Sequence, residues 1–198
     1  NNQTQGALIE AFEEKVNEAV KLRMLSDVPL GTFLSGGLDS SMVVKSMSHV
    51  SPLSINTFSA GFTAEEFDET IFAEIVAGKY STNHFVETLS PIDLLNTVPI
   101  ITECFDEPFA DSSAIPTYLV SKMAKKKVTV ALSGDGGDEL LAGYLHYRVF
   151  NKLAILDKLP AFLVNHLAKH LSCLWPESLR GKGLIKLFAS GSGERYKR

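Results

Sequence analysis

The sequence predicts an α/β fold, a parallel sheet flanked by helices. Two observations carry this. Short β-branched or apolar runs alternate with longer segments of helical periodicity, and that alternation implies parallel strands joined by crossover helices. Two of the short runs, Thr32–Leu34 and Val128–Leu132, also pass straight into glycine-rich turns that enter helices. In open parallel sheets ligands bind at such carboxyl-end turns, near the point where strand order reverses.

From the N-terminus, Gly6–Leu25 carries Leu8, Ile9, Phe12, Val16, Ala19, Val20 and Met24 at helical spacing, with charge on the opposite face. This stripe is expected to be core. Asp27-Val28-Pro29 breaks it, Thr32–Leu34 follows as a buried strand, and Asp39–Met47 has helical composition. Ser54–Phe62 reads as a second strand. Phe67–Tyr80 reads as an amphipathic helix with Phe72, Ile75 and Val76 inward, and Asp68 and Glu69 near its positive start. His84–Leu89 reads as a third strand. Ser90-Pro91 places Ser at the N-cap and Pro at the first position of a helix running to about Phe105. Ser113–Ala124 reads as a further helix, and Val128–Leu132 as a buried strand. From Val149 to Trp175 the pattern is apolar and helical, with Leu153, Ile155, Leu156, Leu159, Phe162, Leu163, Leu167 and Leu171 as its stripe. Residues 1–150 are therefore expected to form the core and 151–198 a helical extension.

Composition sets bounds. The 198 residues suffice for one α/β domain with a sizeable core. A net charge of −4 argues against a dedicated nucleic-acid binder. The one basic run, Lys125-Lys126-Lys127, complements a helix C-terminus. Cys104 and Cys173 lie far apart with no metal spacing, and are read as free thiols of a reducing cytoplasm. The polar start, Asn1-Asn2-Gln3-Thr4-Gln5, does not read as a signal peptide. No apolar run reaches the roughly 18 residues a span needs. The expected setting is cytoplasmic, with neither nucleic acid nor membrane as partner.

The first glycine turn reads Ser35-Gly36-Gly37-Leu38-Asp39-Ser40-Ser41. A strand that turns through glycines into a helix N-terminus makes an anion site, because N–H groups and the helix dipole both face the ligand. Ser35, Ser40 and Ser41 add hydroxyl donors. The commoner phosphate loop needs a Lys beside its last glycine. Here the first Lys after the turn is Lys45, well inside the helix. Asp39, at the positive helix end, can hold Mg²⁺ against phosphate oxygens. The second turn reads Ser133-Gly134-Asp135-Gly136-Gly137-Asp138-Glu139, followed by Gly143-Tyr144. Clustered glycines cost entropy and clustered carboxylates repel, so a bound cation or donors from a neighbouring loop would relieve both.

The pair of turns resembles the two signatures of the glutamine-hydrolysing asparagine synthetases, in their C-terminal synthetase domain. These belong to the ATP pyrophosphatases, also called PP-loop enzymes, with an adenine nucleotide alpha hydrolase-like fold. Phe105–Tyr118 also matches the family, and the likeness runs from about Leu22 to Arg148. The resemblance implies ATP and Mg²⁺ as cofactors. It places Leu34 and Ala60 beside the adenosine. It sets Ser35, Gly36, Gly37, Asp39 and Ser40 around the pyrophosphate, and Ser133 and Gly134 near the ribose and α-phosphate. Asp39 and Asp138 match the carboxylates that hold the metal. Asp135 matches an acidic position linked to acyl-adenylate formation, and Tyr144 a tyrosine near the reacting centre. Asp106, Glu107 and Asp111 match substrate-loop positions, although a plain loop explains them equally well.

The implied reaction joins aspartate to ATP as β-aspartyl-AMP with release of pyrophosphate. Ammonia then displaces AMP to give asparagine. In the family a glutaminase domain headed by a nucleophilic Cys supplies the ammonia. This chain starts at Asn1 and no such domain is read in it, so an excised or ammonia-fed synthetase domain is expected. A homodimer is allowed. Ala142 stands where the family motif commonly has glycine.

Three other readings stay open. One is another adenylating ATP pyrophosphatase, which would lack the second signature. Another is a relative acting on a different carboxylate. The third is a nucleotide-binding fragment without turnover. His166 and His170, at i and i+4, lack the glutamate of a zinc-protease helix and read as part of an amphipathic helix. A serine hydrolase fails for want of a G-x-S-x-G elbow.

Overall fold

The computed structural model describes residues 4–153, apart from 65, 67 and 108. The chain divides into two compact units, Asn1–Asp135 and Gly136–Arg198. In the first, the elements run α1 (Gln5–Arg23), β1 (Leu30–Phe33), α2 (Leu38–Val50), β2 (Asn56–Phe62), α3 (Thr70–Lys79), β3 (Asn83–Leu89), α4 (Pro91–Cys104), α5 (Ala114–Ala124) and β4 (Val130–Leu132). The described part of the second contains α6 (Gly137–Leu141) and α7 (Leu145–Leu153). The expected readings of Cys173, of His166 with His170, and of the stripe beyond Leu153 lie outside the described residues.

The strands form one four-stranded sheet in the order β3-β2-β1-β4, with every pair parallel. Chain order runs outward from β1 to β3 and then returns to the other side of β1. The reversal falls between β1 and β4, so the two glycine turns leave from adjacent strands. This is the arrangement the alternation of strands and helices predicts.

Register explains the layering. Phe33, Phe58 and Phe85 stand opposite one another across three strands. Phe58 and Phe85 stack with ring centroids 5.5 Å apart. This row packs with Val120, Met123, Ala124 and Val128 at the end of α5. The preceding row, Thr32, Thr57 and His84, points to the opposite face, because side chains alternate along a strand. On that face Leu34 packs with Val44 of α2 and with Ala73 and Ala77 of α3. Val20 of α1, Met47 of α2 and Ile55 form an adjoining cluster with Leu30 and Leu132. A hydroxyl buried among these groups is costly unless bonded. Thr57 meets that demand at 2.8 Å from the Thr82 hydroxyl and 2.9 Å from His84 Nδ1.

Helix α4 starts as the sequence predicts, on a capping box. The Asp93 N–H donates to the Ser90 hydroxyl, while the Asp93 carboxylate accepts the Ser90 N–H at 2.9 Å. The three lysines follow α5, with Lys127 Nζ 5.1 Å from the centre of the Phe85 ring.

Three expectations need correction. The α1 stripe is core only in its second half: Val20 is buried, whereas Leu8, Ile9 and Phe12 are exposed. Only the Val16, Val20 and Met24 turns reach the cluster with Met47 and Ile55. The inward face of α3 is Ala73, Val76, Ala77 and Tyr80, and Phe72 and Ile75 are exposed. Both faces of this helix are apolar, so periodicity alone does not choose between them, and it is Ala73 and Ala77 that pack on Leu34 and Val44. Finally, β4 is not a buried strand, since Val130 is 39% exposed. It pairs with β1 alone among the described strands, so one edge lacks a neighbour there.

Candidate functional site

Leu34 ends the run that β1 begins, and both its polar groups are tied to β2. Its N–H donates to the Phe58 carbonyl at 2.9 Å, and its carbonyl accepts the Ser59 hydroxyl. Ala60, the position matched to the adenosine, is the next residue of β2 and is half-buried. The chain then turns at Gly36, where φ is +82°. That left-handed conformation is open to glycine at little cost. Gly36 also lies against α3, where an added Cβ would stand 2.5 Å from Phe72 Cβ and 2.6 Å from Ala73 N.

The turn is braced from within. The Ser40 hydroxyl is within hydrogen-bond distance of three loop groups: the Ser35 N–H at 3.3 Å, the Ser35 hydroxyl at 3.0 Å and the Gly37 carbonyl at 3.3 Å. The Gly37 N–H donates to Ser35 Oγ at 3.2 Å. With its proton on the Gly37 carbonyl, Ser40 accepts from Ser35. Its hydroxyl therefore shapes the turn from a buried position, rather than extending outward as a donor. Helix α2 then opens at Gly37 with no capping side chain, and Asp39 lies in its first turn. An uncapped helix start favours an anion from N–H groups and dipole together.

The second turn comes to the first. Gly134 leaves β4 so close to α2 that an added Cβ would stand 2.7 Å from Ser40 N and 3.0 Å from the Asp39 carbonyl carbon. Ser133 donates its hydroxyl to the Asp135 carboxylate at 2.9 Å. Leu34, Ser35, Gly36, Gly37, Asp39, Ser40, Ser133, Gly134 and Asp135 thus share the carboxyl end of two adjacent strands.

Asp138 and Tyr144 belong to the second unit. There Gly143 lies against Asp138, and an added Cβ would stand 1.9 Å from its Oδ1. Tyr144 donates its hydroxyl to Glu139 at 2.9 Å. The hydrogen bond to that carboxylate, followed by its charge, raises the Tyr144 phenol above its ordinary value. It stays protonated, and hence a donor, at neutral pH. Helix α6 ends at Ala142 with φ 55° and ψ 39°, the left-handed position usually taken by glycine. Ala142→Gly is expected to stabilise this turn by about 1 kcal/mol, read from the urea midpoint. An unchanged midpoint would show that the turn carries no such strain.

A carboxylate outside both signatures shapes the same edge of the sheet. Asp68 accepts from the Thr70 hydroxyl at 2.8 Å, the Thr70 N–H at 3.3 Å and the Phe62 N–H at 3.4 Å. It thereby joins the end of β2 to the start of α3, the helix on which Gly36 rests. The Thr70 hydroxyl is the largest cause of a lowered Asp68 pKa, with the two N–H donors adding to it and desolvation opposing. A carboxyl held below its ordinary value adds stability above that value, near pH 4, and loses it as pH falls through the lowered one. Asp68→Asn is therefore expected to lower the melting temperature at pH 7, with the gap to wild type closing as the pH falls below the ordinary carboxylate range and Asp68 takes up its proton. A gap independent of pH would remove the ionic part of this account.

Asp111 accepts the Ser113 N–H at 2.8 Å in the turn just before α5, which gives it a local structural task, while Asp106 and Glu107 are exposed. Among the described residues no three His, Cys, Asp or Glu side chains gather into a metal site, and no helix is long and apolar enough to cross a membrane. Sequence reasoning missed the hydroxyls of Thr32 and Ser59 and the tight contacts at Gly36 and Gly143. A buried hydroxyl at a strand end carries only a weak signal in a single sequence.

A model of the asparagine synthase family matches residues 11–191. The chain belongs to the asparagine synthase family. It is 40% identical over 189 residues to asparagine synthetase [glutamine-hydrolyzing] 1 of Bacillus subtilis (strain 168), covering 96% of this chain and 30% of that protein. It is 46% identical over 157 residues to the putative asparagine synthetase [glutamine-hydrolyzing] 2 of Methanocaldococcus jannaschii, covering 79% of this chain and 30% of that protein. The chain thus spans about 30% of the length of these asparagine synthetase relatives. Among solved structures, the NH3-dependent NAD synthetase from Campylobacter jejuni aligns over 96% of both chains, with 12% identity and a TM-score of 0.48.

Proposed function

We propose that this chain is the synthetase part of an asparagine synthetase, binding ATP at a PP-loop and activating the side-chain carboxylate of aspartate. The residues that carry this reading, Leu34 to Tyr144, lie within the expected core of residues 1–150. The observation that carries the reading is the approach of Gly134 to Asp39 and Ser40. It joins the two signature turns of one family at one switch point, where an α/β sheet binds its ligand.

In this reading the Ser35–Ser41 turn and the start of α2 receive the β- and γ-phosphates, which leave as pyrophosphate. Leu34 and Ala60 flank the adenosine, and Ser133 and Gly134 lie along the ribose and α-phosphate. The aspartate carboxylate attacks the α-phosphorus, the bond to the β-phosphate oxygen breaks, and β-aspartyl-AMP forms. Ammonia then attacks the acyl carbon, loses a proton and expels AMP. The protein's task is to hold two anions together and stabilise the departing one, which is positioning and electrostatics. Asp135 stands at the adenylating position, with its carboxylate oriented by Ser133. By family likeness Tyr144 matches a tyrosine near the reacting centre, and its phenol is held by Glu139.

The donor chemistry fits Mg²⁺, which prefers one or two carboxylates together with substrate phosphates over an all-protein cage. By family likeness Asp39 and Asp138 match the carboxylates that would hold it, and when bound it would neutralise charge on the phosphate oxygens. Asp39→Ala and Asp138→Ala are each expected to lower pyrophosphate release on the order of 100-fold, with the melting temperature little changed. The deciding assay measures pyrophosphate and AMP formed from Mg-ATP and ammonia, with and without L-aspartate. Release that depends on L-aspartate supports the reading. Release with another carboxylate alone would move the chain to a different amide-forming relative, and ATP binding without release would leave a nucleotide-binding fragment.

A further inference from the structure

We propose that Thr32 and Ser59, two buried hydroxyls, are positioning residues that set where the two ligand-facing turns leave the sheet. The inference rests on the nucleotide-site reading above and assigns separate tasks to two residues outside both signatures. Thr32 is 0% exposed and Ser59 4% exposed, so neither offers its hydroxyl to a ligand in solvent. Each reaches a carbonyl at the end of a strand. The Ser59 hydroxyl donates to the Leu34 carbonyl, the last one before the Ser35 turn. Thr32 Oγ1 lies 3.0 Å from the Leu132 carbonyl, the last one before Ser133, and 3.2 Å from the carbonyl of Phe33.

These carbonyls sit where the ladder gives out. β1 ends at Phe33 and β4 at Leu132; beyond β1 the Leu34 N–H still reaches the Phe58 carbonyl, and the two hydroxyls add side-chain bonds to the carbonyls that lead into the turns. A valine or alanine would fill these interior positions without the cost of burying a hydroxyl. What the hydroxyl adds is a directed bond that fixes one peptide plane. There is little slack for error, because Gly134 already touches the backbone of Asp39 and Ser40. Tilting either peptide moves one turn against the other.

Ser59 bonds the carbonyl that leads into the first turn, whereas the shorter of Thr32's two contacts is to the carbonyl that leads into the second, and this difference separates the role from general stability. The test is calorimetric binding of two probes to the intact protein, Mg-pyrophosphate and AMP, in wild type, Ser59→Ala and Thr32→Val. Ser59→Ala is expected to weaken pyrophosphate binding about tenfold and leave AMP within about twofold. Thr32→Val is expected to do the reverse, by the same factors. Ser59→Thr and Thr32→Ser, which keep the hydroxyl, should restore most of each loss. Melting temperatures run in parallel. Equal weakening of both probes in both variants, tracking the melting temperature, would reduce the hydroxyls to packing and overturn the proposal. Unchanged affinities would overturn it as well. If wild type binds neither probe, the nucleotide-site reading itself fails, and the proposal falls with it.

Discussion

Gly36→Ala is expected to destabilise the protein by about 3–5 kcal/mol, the sum of a left-handed backbone penalty and an overpacked contact. At φ +82° a Cβ strains the local backbone before any neighbour is considered. That Cβ would then meet Phe72 Cβ at 2.5 Å, and Ala73 N and the Phe72 carbonyl carbon at 2.6 Å. Two of these are backbone atoms of α3, which cannot rotate away as a flexible side-chain tip can. The helix would have to lift, and it carries Ala73 and Ala77, half of the buried cluster with Leu34 and Val44. Typical domains have only about 5–15 kcal/mol in hand, so the variant should unfold at much lower urea than wild type. A loss under about 1 kcal/mol would show that α3 yields easily and that Gly36 serves the turn alone.

Gly134→Ala should act differently, lowering turnover on the order of 100-fold while the fold survives. Its Cβ would press on Ser40 N at 2.7 Å and on the Asp39 backbone and Cβ at 3.0 and 3.1 Å. The second turn is joined to the sheet through β4, a three-residue strand, and can retreat at a cost of about 1–3 kcal/mol. On the proposed reading, retreat separates two turns that must hold ATP together. Steady-state kinetics with ATP as the varied substrate, beside a thermal melt, would check this. Full activity in a stable variant would mean that the two turns work independently.

Much of this was legible in the residues. The parallel sheet follows from the alternation of short β-branched runs with helical segments, and the first turn from Ser35-Gly36-Gly37 ahead of Asp39. The capping box was half-visible, in Ser90-Pro91 with Asp93 three residues on. What stayed hidden is what depends on partners far away in the chain. Helical periodicity made Phe72 and Ile75 inward, and with both faces of α3 apolar it had no means of telling that Ala73 and Ala77 pack on Leu34 and Val44. The same limit applied to α1, where one stripe spans an exposed half and a buried half. Ser40 looked like a ligand donor because its type and place fit, yet its hydroxyl is taken up by Ser35 and Gly37. The roles proposed for Asp39, Asp135, Asp138 and Tyr144 come from family likeness, since a single sequence does not supply partner geometry.

The strand order also bears on how the molecule comes to exist. β1, β2 and β3 follow one another with one helix between each, and each pairs with its predecessor. β4 must return to β1 across a separation of 100 residues between Thr32 and Leu132. Long closures are slow because the entropy of the intervening chain is lost before the contact repays it. On a ribosome the first turn can settle against β2 and α3 while the second has not yet been made. The pairing of the two turns is then the last thing to assemble, and a nascent chain stopped before Val130 would carry the first turn with nothing opposite it.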